Sequence, residues 1–69
     1  MTEKYQDEFL KECSENEIPV TVFLISGYQM VGTITGFDNF SVVLNNEGQN
    51  KLIYKHAIST VQPQESIDL

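Results

Sequence analysis

The sequence predicts a mostly β domain in which one N-terminal helix precedes five short strands that form a strongly bent antiparallel sheet. Helical spacing of apolar residues is confined to the first part of the chain and stops before Pro19. Short runs of β-branched and aromatic residues follow, and turn formers separate them. A chain of 69 residues forms a single domain, residues 1–69, and strands this short form a small barrel or half-open sheet.

The predicted helix covers residues 6–16. Phe9, Leu10 and Cys13 recur at helical spacing and give one narrow apolar stripe. Acidic residues in the first turn suit the positive end of a helix, whereas the acids near the C-terminal end repel one another. Pro19 cannot continue a helix and keeps Ile18 extended, so the helix ends before this point.

Five strands follow, and the connections between them are short. The segment "SGY" at 26–28 and the pair Asp38 and Asn39 supply tight turns. Gly32 and Gly36 lie inside the second strand, where a strongly bent strand uses small residues. The predicted strands are residues 20–25, 28–38, 40–45, 51–55 and 58–61, with a loop of turn formers at 45–50 and a flexible tail at 62–69.

Composition favours self-association in a reducing compartment. Domains below about 70–80 residues usually need disulfides, a metal or partner subunits to supplement their core. Cys13 is the only cysteine and His56 the only histidine, so an internal disulfide is excluded and neither a metal nor a cofactor is expected. An unpaired thiol is typical of the cytoplasm. We expect neither export nor membrane association, because the sequence has no leader-like segment and no apolar run of about 20 residues.

The overall charge argues against a generic nucleic-acid binder. The formal net charge is −6 with four lysines and no arginine, whereas such binders usually carry basic patches. The charge is unevenly distributed, because residues 1–19 hold six carboxylates against two lysines. In residues 20–61 two carboxylates balance Lys51 and Lys55. The negative charge therefore lies mostly outside the β body.

The outer edges of the short fourth and fifth strands expose unpaired backbone groups that nothing further in the sequence covers. If the fourth strand of one copy pairs with the fifth strand of the next, the contact is head-to-tail and closes into a ring or grows into a filament. A ring gathers Lys55 and His56 of every subunit at matching positions. The edges therefore predict an assembly in which a sparse positive charge is concentrated.

Three segments carry a resemblance to a known family. They are "VTVFLISGYQMVG" at 20–32, "GFDNF" at 36–40 and "YKHAIST" at 54–60. With this spacing the chain resembles the Hfq family of Sm-like bacterial RNA chaperones over about residues 6–63. The resemblance implies a cytoplasmic homohexameric ring that binds RNA on two faces. It also implies pairing of small regulatory RNAs with messenger RNAs, in post-transcriptional regulation and the stress response.

The resemblance implies a proximal pore that holds uridine-rich RNA. The matching residues are Gln6, Asn39, Phe40, Lys55 and His56. A ring such as Phe40 stacks on a base for typically about 1–3 kcal/mol. The two amides suit base edges, and Lys55 and His56 donate to phosphate, base or ribose oxygens. Without the family pattern, Phe40 after a turn is more often a core residue, His56 a structural hydrogen-bonding group and Lys55 a solvated charge.

The resemblance also implies a distal face for adenine-rich or alternating-purine RNA. The matching residues are Phe23, Gly27, Tyr28, Gln29, Met30, Lys51 and Thr60. Tyr28 and Met30 are expected to share one side of the second strand, with Phe23 across the turn as one wall of a base-stacking slot. The alternative for this segment is an apolar core face. Family members commonly carry an amide at the position of Lys51, whose ammonium group either reaches a phosphate or is simply solvated.

The chain departs from the family at the outer rim of the ring. Many relatives carry basic residues near the end of the helix, where this chain has Ser14, Glu15, Asn16 and Glu17. Acidic side chains repel a phosphate backbone. We therefore expect weak rim binding and weak annealing of two RNAs.

Two other functional classes stay open at this stage. A ring scaffold that acts chiefly through protein partners fits the same fold. An enzyme is disfavoured, because the sequence lacks a paired-carboxylate, Ser–His–Asp or phosphate-cradling glycine constellation. A dyad of Asp38 and His56 is conceivable, but nothing in the sequence supports its geometry.

Overall fold

The computed structural model describes residues 4–67, which form one α-helix, five β-strands and one short 3-10 helix. All paired strands are antiparallel, in the order β4-β3-β2-β1-β5. The predicted class, one helix followed by a bent five-stranded antiparallel sheet, is confirmed. In chain order the elements are α1 (Lys4–Glu15), β1 (Pro19–Leu24), β2 (Gln29–Phe37), β3 (Ser41–Asn46), β4 (Gln49–Tyr54), the 3-10 helix η1 (Lys55–Ala57) and β5 (Ile58–Pro63).

A Schellman motif ends α1 and turns the chain into β1. Glu17 has a φ of 52°, its N–H donates to the Ser14 carbonyl at 3.2 Å, and the Ile18 N–H donates to the Cys13 carbonyl at 3.0 Å. Glycine usually occupies this left-handed position. The two hydrogen bonds and the burial of Ile18 hold a glutamate there instead.

The apolar stripe of α1 packs on the inner face of the sheet. Burial follows strand alternation in β1 and β3, where every second residue points inward. Burial, and to a lesser degree the Glu12 carboxylate, raises the pKa of the Cys13 thiol, so this cysteine behaves as a small core side chain. The buried cluster contains Leu10, Cys13, Val20, Val22, Ile34, Val42, Leu44 and Ile53.

Strand β2 is irregular and connects the two predicted RNA surfaces. Its register with β3 shifts between Ile34 and Gly36, which leaves Thr35 without a partner and marks a bulge. The strand begins at the turn of residues 25–28 and ends at the turn of residues 38–40. Strand β2 therefore runs from one predicted surface to the other.

The predicted loop at 45–50 is wrong, because this segment is a tight hairpin. Strand β3 extends into it, β4 begins within it, and only Glu47 and Gly48 connect them. Their φ angles of 54° and 83° fit a type I′ turn, whose twist matches that of the flanking strands. The Asn45 side-chain amide donates to Asn50 Oδ1 at 2.8 Å across the hairpin. Polar residues thus extend both strands through a segment that composition alone assigns to a loop.

The predicted flexible tail begins too early. Gln62 and Pro63 belong to β5 and pair with β1. The Gln64 N–H donates to the Pro19 carbonyl at 2.9 Å, and Ile67 packs against the core. Residues 68 and 69 of the predicted tail lie outside the described residues. Within residues 4–67, no helix is long and apolar enough to cross a membrane.

Candidate nucleic-acid interface

The turn between β2 and β3 presents the Phe40 ring to solvent. Asp38 Oδ1 accepts hydrogen bonds from the Phe40 N–H at 2.9 Å, the Ser41 N–H at 2.8 Å and the Ser41 hydroxyl at 2.9 Å. The Asp38 N–H donates to the Ser41 carbonyl at 2.9 Å and closes the turn. The Phe40 side chain is 76% exposed, so it is not a core residue.

The same hydrogen bonds set the protonation state of Asp38. The Phe40 N–H, followed by the Ser41 hydroxyl and N–H, lowers the pKa of Asp38, and the charge of Lys55 adds a smaller effect. The carboxylate is therefore ionised at neutral pH, which is the form that accepts all three hydrogen bonds.

Lys55 is fixed beside this turn by contacts to two other elements. Its backbone N–H donates to the Phe40 carbonyl at 2.8 Å. Its Nζ donates to Gln6 Oε1 on α1 at 2.7 Å and lies 5.9 Å from the centroid of the Phe37 ring, within cation–π range. The Lys55 ammonium group therefore lies against α1 and the end of β2, while the Lys55 backbone is bound to the β2–β3 turn.

Asn39 and His56 lie next to this cluster. Asn39 precedes Phe40 in the same turn, and His56 follows Lys55 in η1, and both side chains are exposed. The His56 ring stacks on Tyr54, with 5.8 Å between ring centroids and 10° between ring planes. The structure thus places all five predicted proximal residues in one region. Tyr54, which the sequence pattern did not single out, supports the histidine ring.

The predicted distal residues are divided between the two faces of the sheet. Phe23 lies opposite Gln29 in β2 and Thr60 in β5, so these three share a face. Met30 lies opposite Val22 and packs against the core. The predicted slot between Phe23 and Met30 is therefore wrong, because strand alternation places the two side chains on opposite faces.

The turn between β1 and β2 holds Tyr28 in the solvent. The Gly27 N–H donates to the Leu24 carbonyl at 2.9 Å, the Leu24 N–H donates to the Tyr28 carbonyl at 2.8 Å, and Gly27 has a φ of 97°. Tyr28 is 62% exposed, which excludes a core role. Ile25, which the sequence analysis did not single out, is also exposed in this turn.

Lys51 is separated from the other distal residues within one chain. It is exposed on β4, opposite Leu44 of β3. Strand β4 forms one edge of the sheet, whereas β5, which carries Thr60, forms the other. A single chain therefore does not bring Lys51 and Thr60 together.

The acidic side chains of Glu15 and Glu17 and the amide of Asn16 are exposed at the end of α1. At 1.5 Å per helical residue, Glu15 lies about 14 Å along the axis from Gln6, which is beyond a Debye length at physiological salt. Among residues 4–67, no group of three or more His, Cys, Asp and Glu side chains could hold a metal ion. The charge at the helix end is therefore a surface feature distinct from the proximal cluster.

Comparison with known proteins identifies close relatives. The family described as Hfq protein matches residues 5–68. The chain is 50% identical to the RNA-binding protein Hfq of Shouchella clausii over 68 residues, which are 99% of this chain and 88% of that protein. It is 53% identical to the RNA-binding protein Hfq of Exiguobacterium sibiricum over 68 residues, 99% of this chain and 82% of that protein.

Two solved structures share the fold. A crystal structure of the pleiotropic translational regulator Hfq superposes with a TM-score of 0.81 at 46% identity, covering 84% of this chain and 97% of that chain. An Hfq protein from Anabaena sp. superposes with a TM-score of 0.80 at 23% identity, covering 87% of this chain and 97% of that chain. The second likeness concerns the fold alone.

Proposed function

The chain belongs to the Hfq family, and from this premise we propose that it is an RNA-binding post-transcriptional regulator and RNA chaperone that acts as a cytoplasmic homohexameric ring. It binds uridine-rich RNA at a proximal pore and adenine-rich or purine-rich RNA on the distal face. Its task is to promote pairing of small regulatory RNAs with messenger RNAs. The observation that carries the proposal is the exposed Phe40 ring in a turn whose Phe40 carbonyl accepts from the Lys55 N–H, while Gln6 holds the Lys55 ammonium group.

The proximal cluster suits a uracil base. Phe40 supplies a stacking face, and Lys55 keeps further N–H donors beyond the one that it gives to Gln6. Because Gln6 accepts through Oε1, its amide N–H groups stay available. Uracil has two carbonyl oxygens that accept from such donors. One of the four lysines thus supplies a cation that we expect to donate to a base or to its phosphate.

The edge strands support assembly into a ring. Leu52 and Tyr54 on the edge strand β4 are 58% and 55% exposed. Head-to-tail pairing of β4 with β5 of a neighbour satisfies both backbone edges and covers these side chains. It also sets Lys51 of one subunit beside the strand that carries Thr60 of the next, so the distal surface is completed between subunits.

Sedimentation with fluorescent oligo-U and oligo-A tests the proposal. We expect a ring-sized species to carry both labels, and Lys55→Ala and His56→Ala to release oligo-U while retaining oligo-A. Lys11→Ala, which removes another lysine from the exposed side of α1, is the matched charge control. A ring that carries neither label contradicts RNA binding and favours the alternative, a scaffold for protein partners.

The acidic rim weakens annealing in this proposal. Changing Glu15 and Glu17 together to lysine should raise the annealing rate of two complementary RNAs severalfold at low salt, and the gain should fade at high salt. Glu47→Lys, at the exposed β3–β4 turn, makes the same charge change per site away from the helix and is the control. An annealing rate that is unchanged at every salt concentration contradicts a role for the rim charge.

A further inference from the structure

A cavity between α1 and β5 carries an aromatic ring that the proposed function does not use. Its volume is about 380 Å³, and Phe9 and Leu10 of the helix contribute to an apolar lining. Gln6 and Lys55 of the proximal cluster also line it. Tyr5, in the first turn of α1, lines the same cavity and is 75% exposed.

We propose that Tyr5 is a further RNA-stacking residue, which takes the nucleobase next to the one held at Phe40 and lengthens the proximal site by one nucleotide. This inference rests on the proposed function, because it needs RNA at the proximal cluster. The ligand is a single-stranded, uridine-rich RNA.

Hydrogen bonds of Lys55 connect the two segments that carry the exposed rings. The Phe40 carbonyl accepts from the Lys55 N–H, the Lys55 ammonium donates to Gln6, and Gln6 is the chain neighbour of Tyr5. The Lys55 backbone is therefore held at the β2–β3 turn and its ammonium group at the first turns of α1. Single-stranded nucleic acids are commonly bound by aromatic rings that stack successive bases, with cations beside them for the backbone.

The position of Tyr5 on the helix supports stacking over a structural role. Tyr5 and Phe9 are four residues apart, so they share one helix face, and both line the cavity. Phe9 packs against the core, whereas Tyr5 leaves most of its ring in solvent. Phe9 thus supplies the packing at this point of the helix, and the Tyr5 ring remains available to a ligand.

The local charge selects the part of the nucleotide that Tyr5 contacts. Asp7 and Glu8 are exposed in the same region of α1, against Lys4. Carboxylates repel a phosphate but not a neutral base. Tyr5 therefore contacts the base, and the phosphate stays near Lys55.

The test is fluorescence anisotropy with a length series of oligo-U, from three to ten nucleotides, on the full chain. We expect Tyr5→Ala to weaken binding on the order of tenfold for oligonucleotides long enough to reach residue 5, since this is the scale of one base–aromatic stack. Shorter oligonucleotides should bind as they bind the unaltered protein. Tyr5→Phe keeps the ring and should restore the lost affinity.

A tryptophan variant reports the contact directly. The chain has no tryptophan, so Tyr5→Trp introduces a single indole whose fluorescence a stacked base quenches. We expect quenching by the longer oligonucleotides and none by the shorter ones. Val31→Ala, which truncates an exposed apolar side chain of β2 outside both predicted sets, controls for general surface changes.

Three outcomes overturn the inference. If Tyr5→Ala leaves the affinity unchanged at every length, or lowers it equally at every length, Tyr5 does not bind an additional base. If Tyr5→Ala changes the sedimentation coefficient of the RNA-free ring, the cavity belongs to the contact with a second copy of this chain. If the unaltered protein binds no oligo-U at all, the proposed function fails first, and this result is distinct from the other two.

Discussion

The proximal and distal residue sets differ in how much of each set one chain assembles. Gln6, Phe40 and Lys55 are joined within one chain by hydrogen bonds of 2.7 and 2.8 Å. The distal set is spread over a turn, both sheet faces and both edge strands, with Lys51 and Thr60 on opposite edges. Contacts within one chain therefore hold the proximal set together, whereas the distal set depends on sheet register and, in the proposed ring, on subunit contact.

Strand β2 joins the two sets, and its two glycines provide the largest expected effect. A Cβ at Gly32, near the distal end, would clash with the Asn45 carbonyl oxygen, whereas a Cβ at Gly36, near the proximal end, meets nothing within 4 Å. We expect Gly32→Ala to lower the free energy of unfolding by about 1–3 kcal/mol, as overpacking does. Gly36→Ala should leave it unchanged or raise it by about 0.4–1 kcal/mol.

Urea denaturation at equal protomer concentration measures both variants, since assembly makes apparent stability depend on concentration. Equal losses for the two glycine variants would show that the close approach of β2 to β3 at Gly32 does not limit stability. Equal losses would also mean that the distal end of β2 is packed no more tightly than its proximal end.

A crossed pair of aromatic substitutions tests whether the two surfaces are independent. Phe40→Ala should weaken oligo-U binding about tenfold and Tyr28→Ala should weaken oligo-A binding by a similar factor, because each removes one stacking ring. Each variant should retain its affinity for the other oligonucleotide. Anisotropy titrations of both RNAs against both variants give the four affinities that are compared. Loss of both RNAs in either variant would indicate one shared surface.

Asp38 should have a smaller, indirect effect on the proximal side. Asp38→Ala removes the acceptor that holds the turn around Phe40, so oligo-U affinity should fall severalfold while oligo-A affinity is retained. Asp38→Asn keeps an oxygen acceptor and should lose less. If alanine and asparagine variants bind oligo-U as well as the unaltered protein, the turn does not position the ring.

The pH dependence of stability gives a second measurement on Asp38. Its pKa is lowered from the ordinary value of 3.8, so the stabilising effect of its carboxylate is fully present above that value. It is lost as the pH falls through the lower, folded-state pKa. The difference in unfolding free energy between the unaltered protein and Asp38→Asn should therefore shrink below about pH 4. A difference that is constant through this range contradicts the assignment.

The sequence was sufficient for the features that depend on local chemistry. Apolar spacing and Pro19 predicted the helix, and β-branched runs predicted the strands, because these patterns depend on residues close in the chain. The proximal set, which the structure brings together, came from the family motifs containing Phe40 and Lys55 and not from local chemistry alone. A short turn and a 3-10 helix fix these residues locally.

The errors concern features that depend on pairing between strands. Polar residues at 45–50 suggested a loop, because composition does not reveal that Asn45 and Asn50 face each other across a hairpin. Whether Phe23 and Met30 share a slot depends on the register between β1 and β2, which the sequence does not show. A register shift of one residue moves a side chain to the opposite face of the sheet. The proposed role of Tyr5 had no signal in the sequence, because an aromatic residue near a helix start has no pattern that separates it from an apolar stripe.

Substitution of Lys51 has the smallest expected effect, and it tests whether this residue belongs to the distal set. An amide can both donate to and accept from adenine, whereas an ammonium group only donates, so Lys51 cannot accept from the adenine amino group. We therefore expect its ammonium group to contact a phosphate, and Lys51→Gln should then reduce the slope of log affinity against log salt for oligo-A by about 0.7. At moderate salt the affinity itself should change by less than about threefold, since the contact is exposed and screened. Lys11→Gln, on the exposed side of α1, is the matched control and should leave the slope unaltered. An identical slope for Lys51→Gln and the unaltered protein would mean that Lys51 is only solvated, and that no lysine of β4 takes part in the distal surface.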